Sequence, residues 1–188
     1  MRTNSEIRQQ AKNLVKPLWF ESVIAAVLVY LVISSTLAWA AILLTGPLYI
    51  GLIFFFTRLR EEQKVDHADL VMGFRDHLKP AIIGFILKGV FTFLWSLLFV
   101  IPGIIKSFSY AMTLYIIKDN PSIRGVDAIT QSRNMMKGHK MKLFRLYLGY
   151  IGWFILGIFT FGIAIIYIAP FIEMAVVEFY EDVKKEAA

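Results

Sequence analysis

Three tracts of about forty residues, 18–57, 80–117 and 141–179, are apolar almost throughout, and nothing else in the chain limits its fold so strongly. A bilayer core is about 30 Å thick and a helix rises about 1.5 Å per residue, so about 20 residues make one crossing. Each tract is too long for one crossing and suits a helical hairpin. Composition agrees: the chain is 57% hydrophobic and 18% charged, with a mean hydropathy of +0.62. Soluble domains hold roughly 45–50% and about 25%, and even an oversized soluble core needs no apolar runs of this length.

Each tract carries a break. In the second it is Ile101-Pro102-Gly103. Proline removes a backbone donor and glycine permits a tight turn, so Pro102 and Gly103 are the expected hairpin bend. The third tract breaks near Thr160-Phe161-Gly162. In the first, equal leg lengths favour Ser34-Ser35-Thr36, while proline at a helix start favours Thr45-Gly46-Pro47, and both stay open. Ala38-Trp39-Ala40 has the small-x-small form of a signal cleavage site, but Trp39 fits poorly and another membrane-grade segment follows.

The polar segments lie between and outside the tracts. In residues 1–17, Arg2, Arg8, Lys12 and Lys16 face a single acid, Glu6, while Ile7, Ala11, Leu14, Val15 and Leu18 recur at helical spacing. That pattern predicts a basic amphipathic helix on the membrane surface. Residues 58–79 offer Asp66 as a helix cap and Leu70, Val71, Phe74 and Leu78 as an apolar face. In residues 118–140, Asn120-Pro121 opens a predicted helix with Ile123, Val126, Ile129 and Met136 on one side, and Gly138 ends it. An acidic tail, 180–188, closes the chain.

Most of the 20 Lys and Arg residues fall in these polar segments and none at the three bends. Basic residues stay cytoplasmic. The expected fold is therefore all-α: one polytopic membrane helix bundle of about six short transmembrane helices, arranged as three hairpins joined by cytoplasmic amphipathic segments. Both termini are cytoplasmic. The recurrence of segment plus hairpin from near residues 1, 58 and 118 fits a triplication, but equal spacing follows from any series of hairpins.

Chemistry is sparse. Without cysteine there is no disulfide, thiol nucleophile or cysteine metal site. His67, His77 and His139 lack the spacing of a metal site. Ser107 and Ser109 lie near Lys106, but no acyl-transfer motif accompanies them. Gly149, Gly152, Gly157 and Gly162 form a small-residue stripe suited to helix packing rather than to phosphate binding. No catalytic residue, cofactor or metal, and no enzyme, is expected. The net charge of +6 flanks apolar tracts, which points to anionic phospholipids and away from nucleic acid. Arg124, Arg133, Lys137, His139 and Lys140 are the candidate headgroup contacts.

Of the charges within the tracts, Lys88 and Glu173 share a similar depth from the cytoplasmic face. Lys88 lies eight residues from Pro80 and Glu173 seven from Tyr180, each about 12 Å deep from the same face. A charge at a helix centre costs about 2.5–3.5 kcal/mol, so the two are expected to pair. The leading reading is a non-enzymatic accessory, lipid-sensing or assembly component acting through a basic cytoplasmic face, as a homo-oligomer or with a membrane-protein partner. The alternative is a small transporter or channel using Lys88 and Glu173.

Several blocks carry a resemblance. They are Gly46-Pro47-Leu48 with Gly51, Asp69-Leu70-x-x-Gly73-Phe74, Ile101-Pro102-Gly103-Ile104-Ile105-Lys106 with Ser109-Tyr110, and Ser132-Arg133-x-Met135-Met136-Lys137-Gly138, then Gly152-Trp153, Pro170 and Phe179-Tyr180. Together they resemble the bacterial integral membrane proteins grouped as domain of unknown function 975. Ala169-Pro170-Phe171 departs from that pattern, where a Pro-Tyr pair is expected, and the first hairpin is short. The resemblance implies a bacterial plasma-membrane protein, from a Gram-positive host, and no particular activity.

Overall fold

Thr3 starts the first helix. Its hydroxyl accepts from the Glu6 N–H at 3.3 Å, and the Glu6 carboxylate accepts from the Thr3 N–H at 2.7 Å, a reciprocal capping box. Helix α1 runs Asn4–Val15 and passes through a 3-10 turn at Lys16–Leu18 into α2, Trp19–Ser35. Pro17 explains the turn, since it has no N–H for the i to i−4 ladder. The computed structural model describes residues 2–35, 38–75, 77–98 and 100–187. It is 85% helical, with no strand among the described residues.

Helix α3, Ala38–Glu62, continues through Thr45-Gly46-Pro47. That excludes the second position for the first bend: a proline in a membrane-type helix removes one hydrogen bond without ending it. Of the other position, Thr36 lies outside the described residues. Gly46 and Gly51 serve packing instead. A Cβ on Gly46 would lie 2.5 Å from the Ala81 carbonyl oxygen, and one on Gly51 2.6 Å from the Leu70 carbonyl carbon. Asp66 caps a 3-10 helix at His67–Phe74, accepting from the Ala68 N–H at 2.8 Å. This segment folds back along α3.

Helices α4, Leu78–Leu98, and α5, Val100–Ser109, follow. Pro102 and Gly103, expected at the bend, lie instead in the first turn of α5. A proline there loses no intrahelical bond. Gly103 matters for another reason: a Cβ would sit 2.9 Å from Ser96 Cα, so glycine lets α5 fold back against α4. The chain then turns at Tyr110–Met112 before α6, Thr113–Asp119, which breaks the expected fourth leg. Among the described residues, five segments are long and apolar enough to cross a membrane: Asn4–Leu31, Leu43–Glu62, Leu78–Leu97, Lys140–Phe159 and Ile163–Glu186.

Helix α7 spans Gly125–Met135, starting later than Asn120-Pro121 suggested, with Arg124 as its N-cap. Val126, expected on the apolar face, is exposed; Gly125, Ala128, Ile129 and Ser132 are buried. Gly138 follows with φ +83°, which glycine adopts freely. Then come α8, Lys140–Leu148, α9, Ile151–Phe159, and α10, Ile163–Ala187. The α9–α10 break falls at Thr160-Phe161-Gly162. Gly162, at φ +90°, donates its N–H to the Gly157 carbonyl at 2.8 Å, a Schellman-type stop.

Burial divides the chain. From Phe171 to Val183, α10 is buried on almost every side, with Phe55, Phe56, Leu59, Tyr115 and Ile117 in the same core. Among the described residues, the exposed apolar side chains concentrate at Phe20 to Leu31 with Leu43, at Ile83 to Leu97 with Ile101 to Ile105, and at Leu148 to Tyr167. Phe54 meets His77 and Gly46 meets Ala81, while Tyr49 and Arg60 meet Glu173 and Glu178. So α4 runs against α3 and α10 runs with it, placing the first residues of α3 and α10 and the last of α4 at one end. The N-terminal helix does not lie free on a surface: Ile7, Ala11 and Val15 are fully buried, and α1 packs along α10.

Candidate functional site

Glu173 stands ten residues into α10, 8% exposed, facing α2 and α3. Tyr30 donates its hydroxyl to Oε1 at 3.3 Å and Tyr49 to Oε2 at 3.1 Å. Two neutral O–H donors thus satisfy the carboxylate without a countercharge at contact. Tyr115 and Tyr147, from α6 and α8, lie within electrostatic reach of it. The Tyr115 hydroxyl is buried beside that of Tyr49.

Lys88 is half-buried on α4 and borders a cleft of about 360 Å³ with Phe85, Thr92, Phe93 and Ser107. The structure forms no Lys88–Glu173 ion pair among the described residues; the charges act on each other through space. Sequence reasoning found the carboxylate and missed the tyrosines. The available signal was chemical: a short acid in an apolar tract needs donors, and tyrosine is the neutral donor with the longest reach.

A second cluster binds the termini to the bundle. Glu178 and Asp182 sit one turn apart on α10 and share Arg2, whose Nη2 lies 2.7 Å from Glu178 Oε2 and whose Nε donates to Asp182 Oδ1 at 2.8 Å. Arg60 Nε reaches Glu178 Oε1 at 2.6 Å. Hydrogen bonding to Asp182 holds the Arg2 guanidinium above its ordinary range, against the pull of desolvation. Lys142 donates to the Arg2 carbonyl, and Asn4 donates to the Lys142 carbonyl at 2.9 Å. Beside this network, Asp119 accepts from Tyr180 at 2.7 Å and Lys184 at 2.5 Å. Burial would push the Asp119 carboxyl up, but the bonds from Lys184 and Tyr180 outweigh it and hold the group below its ordinary value.

Of the candidate headgroup contacts, Arg133 and Lys137 are exposed and Lys140 half-buried, all at or near the turn between α7 and α8. Arg124 stands at the other end of α7, paired with Asp127 at 2.7 Å. His139 caps α8 and lies 3.5 Å from Glu186 Oε2. His67 lies 3.3 Å from Glu21, and the His77 ring bonds the Lys118 carbonyl at 3.1 Å. No group of three or more metal-ligating side chains occurs among the described residues. Ser107 and Ser109 donate to the carbonyls of Ile104 and Ile105, a common use of serine in helices, while Lys106 lies over the Trp95 ring at 4.1 Å.

No curated protein and no solved structure matches the chain. Residues 97–187 match the family model described as Protein of unknown function (DUF975). The Ile101–Lys106 and Ser132–Gly138 blocks fall inside that match, whereas Gly46–Gly51 and Asp69–Phe74 precede it. Over residues 97–187, with α5 to α10 within them, the chain is similar to this family.

Proposed function

We propose that this is a six-crossing protein of the bacterial plasma membrane, with both termini cytoplasmic, acting as a non-enzymatic, lipid-responsive accessory component through its basic cytoplasmic face. One observation supports the reading: exposed apolar surface is concentrated toward the end of the bundle that holds the α9–α10 reversal, while the ion pairs of Glu178 and Asp182 and both termini gather around the other half of α10. The apolar half is the bilayer half. The α5–α6 pair serves as a broken fourth crossing.

On this reading Arg133, Lys137 and Lys140 contact anionic headgroups from the α7–α8 turn. The apolar side of α7 is already buried against the bundle, so the turn meets lipid by charge rather than by insertion. Hydrogen exchange in nanodiscs tests it. Anionic phospholipid should slow exchange across residues 133–140, and Lys137→Gln with Lys140→Gln should abolish the difference. Equal exchange with and without anionic lipid would contradict it.

The tyrosine-held Glu173 favours a second reading, a small transporter or channel, since an ionisable group inside a membrane bundle marks ion pathways. Proteoliposome flux that Glu173→Gln removes would establish that reading over the first.

A further inference from the structure

We propose that the N-terminal helix forms one wall of a binding groove for an anionic glycerophospholipid, distinct from the α7–α8 turn. A cavity of about 440 Å³ opens between α1 and the α9–α10 pair. It is lined on one side by Arg8 and Lys12 and on the other by Tyr150, Trp153, Tyr167 and Phe171. The volume is within the ordinary range for ligand pockets.

The local structure dictates this division. Ile7, Ala11 and Val15 turn one stripe of α1 into the core. Positions 8 and 12, four apart, then stand one above the other on the neighbouring face. Neither cation forms an ion pair among the described residues, although Arg2, Arg58 and Arg60 all do. The Arg8 guanidinium lies across Gly149, where a Cβ would come within 2.5 Å of its Cζ; glycine makes the seat. The aromatic wall is continuous. Trp153 stacks on Tyr167 at 5.3 Å, Tyr167 meets Phe171 at 5.7 Å, and Trp19 packs on Tyr167 at 5.2 Å while donating to its carbonyl at 3.3 Å.

Beyond Trp153 the surface becomes the exposed apolar face of α9. Tryptophan and tyrosine collect at the membrane–water boundary. The occupant must therefore carry an anion at one end and a long apolar body at the other. An anionic phospholipid meets both demands. Free phosphate would leave the aromatic wall unused, and a choline headgroup would set a cation against Arg8 and Lys12.

The inference rests on the bilayer placement proposed above, but not on lipid contact at the α7–α8 turn. Resistance of the membrane-bound chain to carbonate extraction checks that placement first; release would overturn both. The groove is then tested with the full chain in detergent, carrying Trp39→Phe and Trp95→Phe so that Trp19 and Trp153 report. Phosphatidylglycerol with brominated acyl chains should quench their fluorescence saturably, and the brominated phosphatidylcholine analogue should do so far more weakly. Arg8→Gln with Lys12→Gln should weaken the phosphatidylglycerol titration about thirtyfold, the ratio expected for two cations at an anionic surface. Gly149→Val should also weaken it with the charge unchanged, and Arg8→Lys should retain binding. Lys137→Gln with Lys140→Gln should leave the curve in place. Identical titrations for the wild type and the Arg8/Lys12 double variant would overturn the groove, as would an unchanged Gly149→Val curve should the double variant fail to accumulate. Displacement of the lipid by equimolar inorganic phosphate would make this a free-anion site and overturn the lipid assignment.

Discussion

Replacing Tyr49 with Phe removes one hydroxyl from Glu173, and pairing it with Glu173→Gln in a cycle isolates that contact from the neighbouring Tyr115. A hydrogen bond to a charged group contributes about 1.5–3 kcal/mol. At 3.1 Å the Tyr49 contact is longer than the usual O–H···O distance of about 2.7–2.8 Å, which argues for the lower end. Lys88 makes no contact with the same group, so its coupling should be smaller, about 0.5 kcal/mol. Two double-mutant cycles on thermal stability in detergent compare them: Tyr49→Phe with Glu173→Gln, and Lys88→Met with Glu173→Gln. At about 2–4 °C per kcal/mol for a chain of this size, the first coupling amounts to about 3–6 °C and the second to about 1–2 °C. Were the Lys88 coupling the larger, the charges would meet in the folded protein and the tyrosines would be bystanders.

Glycine positions separate sharply. Gly51→Ala and Gly73→Ala press a Cβ against the backbone of Leu70 and Pro47 and should each cost about 1–3 kcal/mol, whereas Gly89→Ala meets nothing within 4 Å and should be neutral or stabilising by up to about 1 kcal/mol. Glu178→Gln leaves Arg2 and Arg60 facing a neutral group; breaking a buried pair costs about 3–5 kcal/mol, and because both arginines keep some exposure the lower figure is expected from thermal melts. Because the Asp119 carboxyl is held below its ordinary value, its stabilisation is present above the ordinary carboxylate range and is lost as pH falls through the depressed value. Melting curves between about neutral pH and pH 3 should show that loss, and Asp119→Asn should remove its share of the slope.

The apolar tracts made the helical, membrane-type architecture legible because length and hydropathy depend on the chain alone. Gly162 was legible for a similar reason: a left-handed residue after an apolar helix is a local requirement. Pro102-Gly103 misled because proline has two uses, ending a helix or starting one, and only the close approach of α5 to Ser96 shows which applies. The amphipathic α1 was visible, but its destination was not, since a helix period cannot distinguish lipid from the side of α10. The lone acid at 173 stood out in sequence. Tyr30, Tyr49 and Tyr115 did not, because each comes from a different helix and only the packing of α2, α3 and α6 around α10 brings them near it.

The sidedness of the membrane is the claim on which the rest depends, and cysteine accessibility measures it without background because the chain contains no cysteine. Gly103 is a poor reporter, since a side chain there would press on Ser96. Phe161, 100% exposed at the α9–α10 reversal, is a better one. In intact cells, a membrane-impermeant maleimide should label Phe161→Cys and spare Gln63→Cys, Gln131→Cys and Glu186→Cys until the membrane is opened. Labelling of Gln131→Cys from outside, or protection of Phe161→Cys there with labelling only after lysis, would contradict the six-crossing arrangement with both termini cytoplasmic.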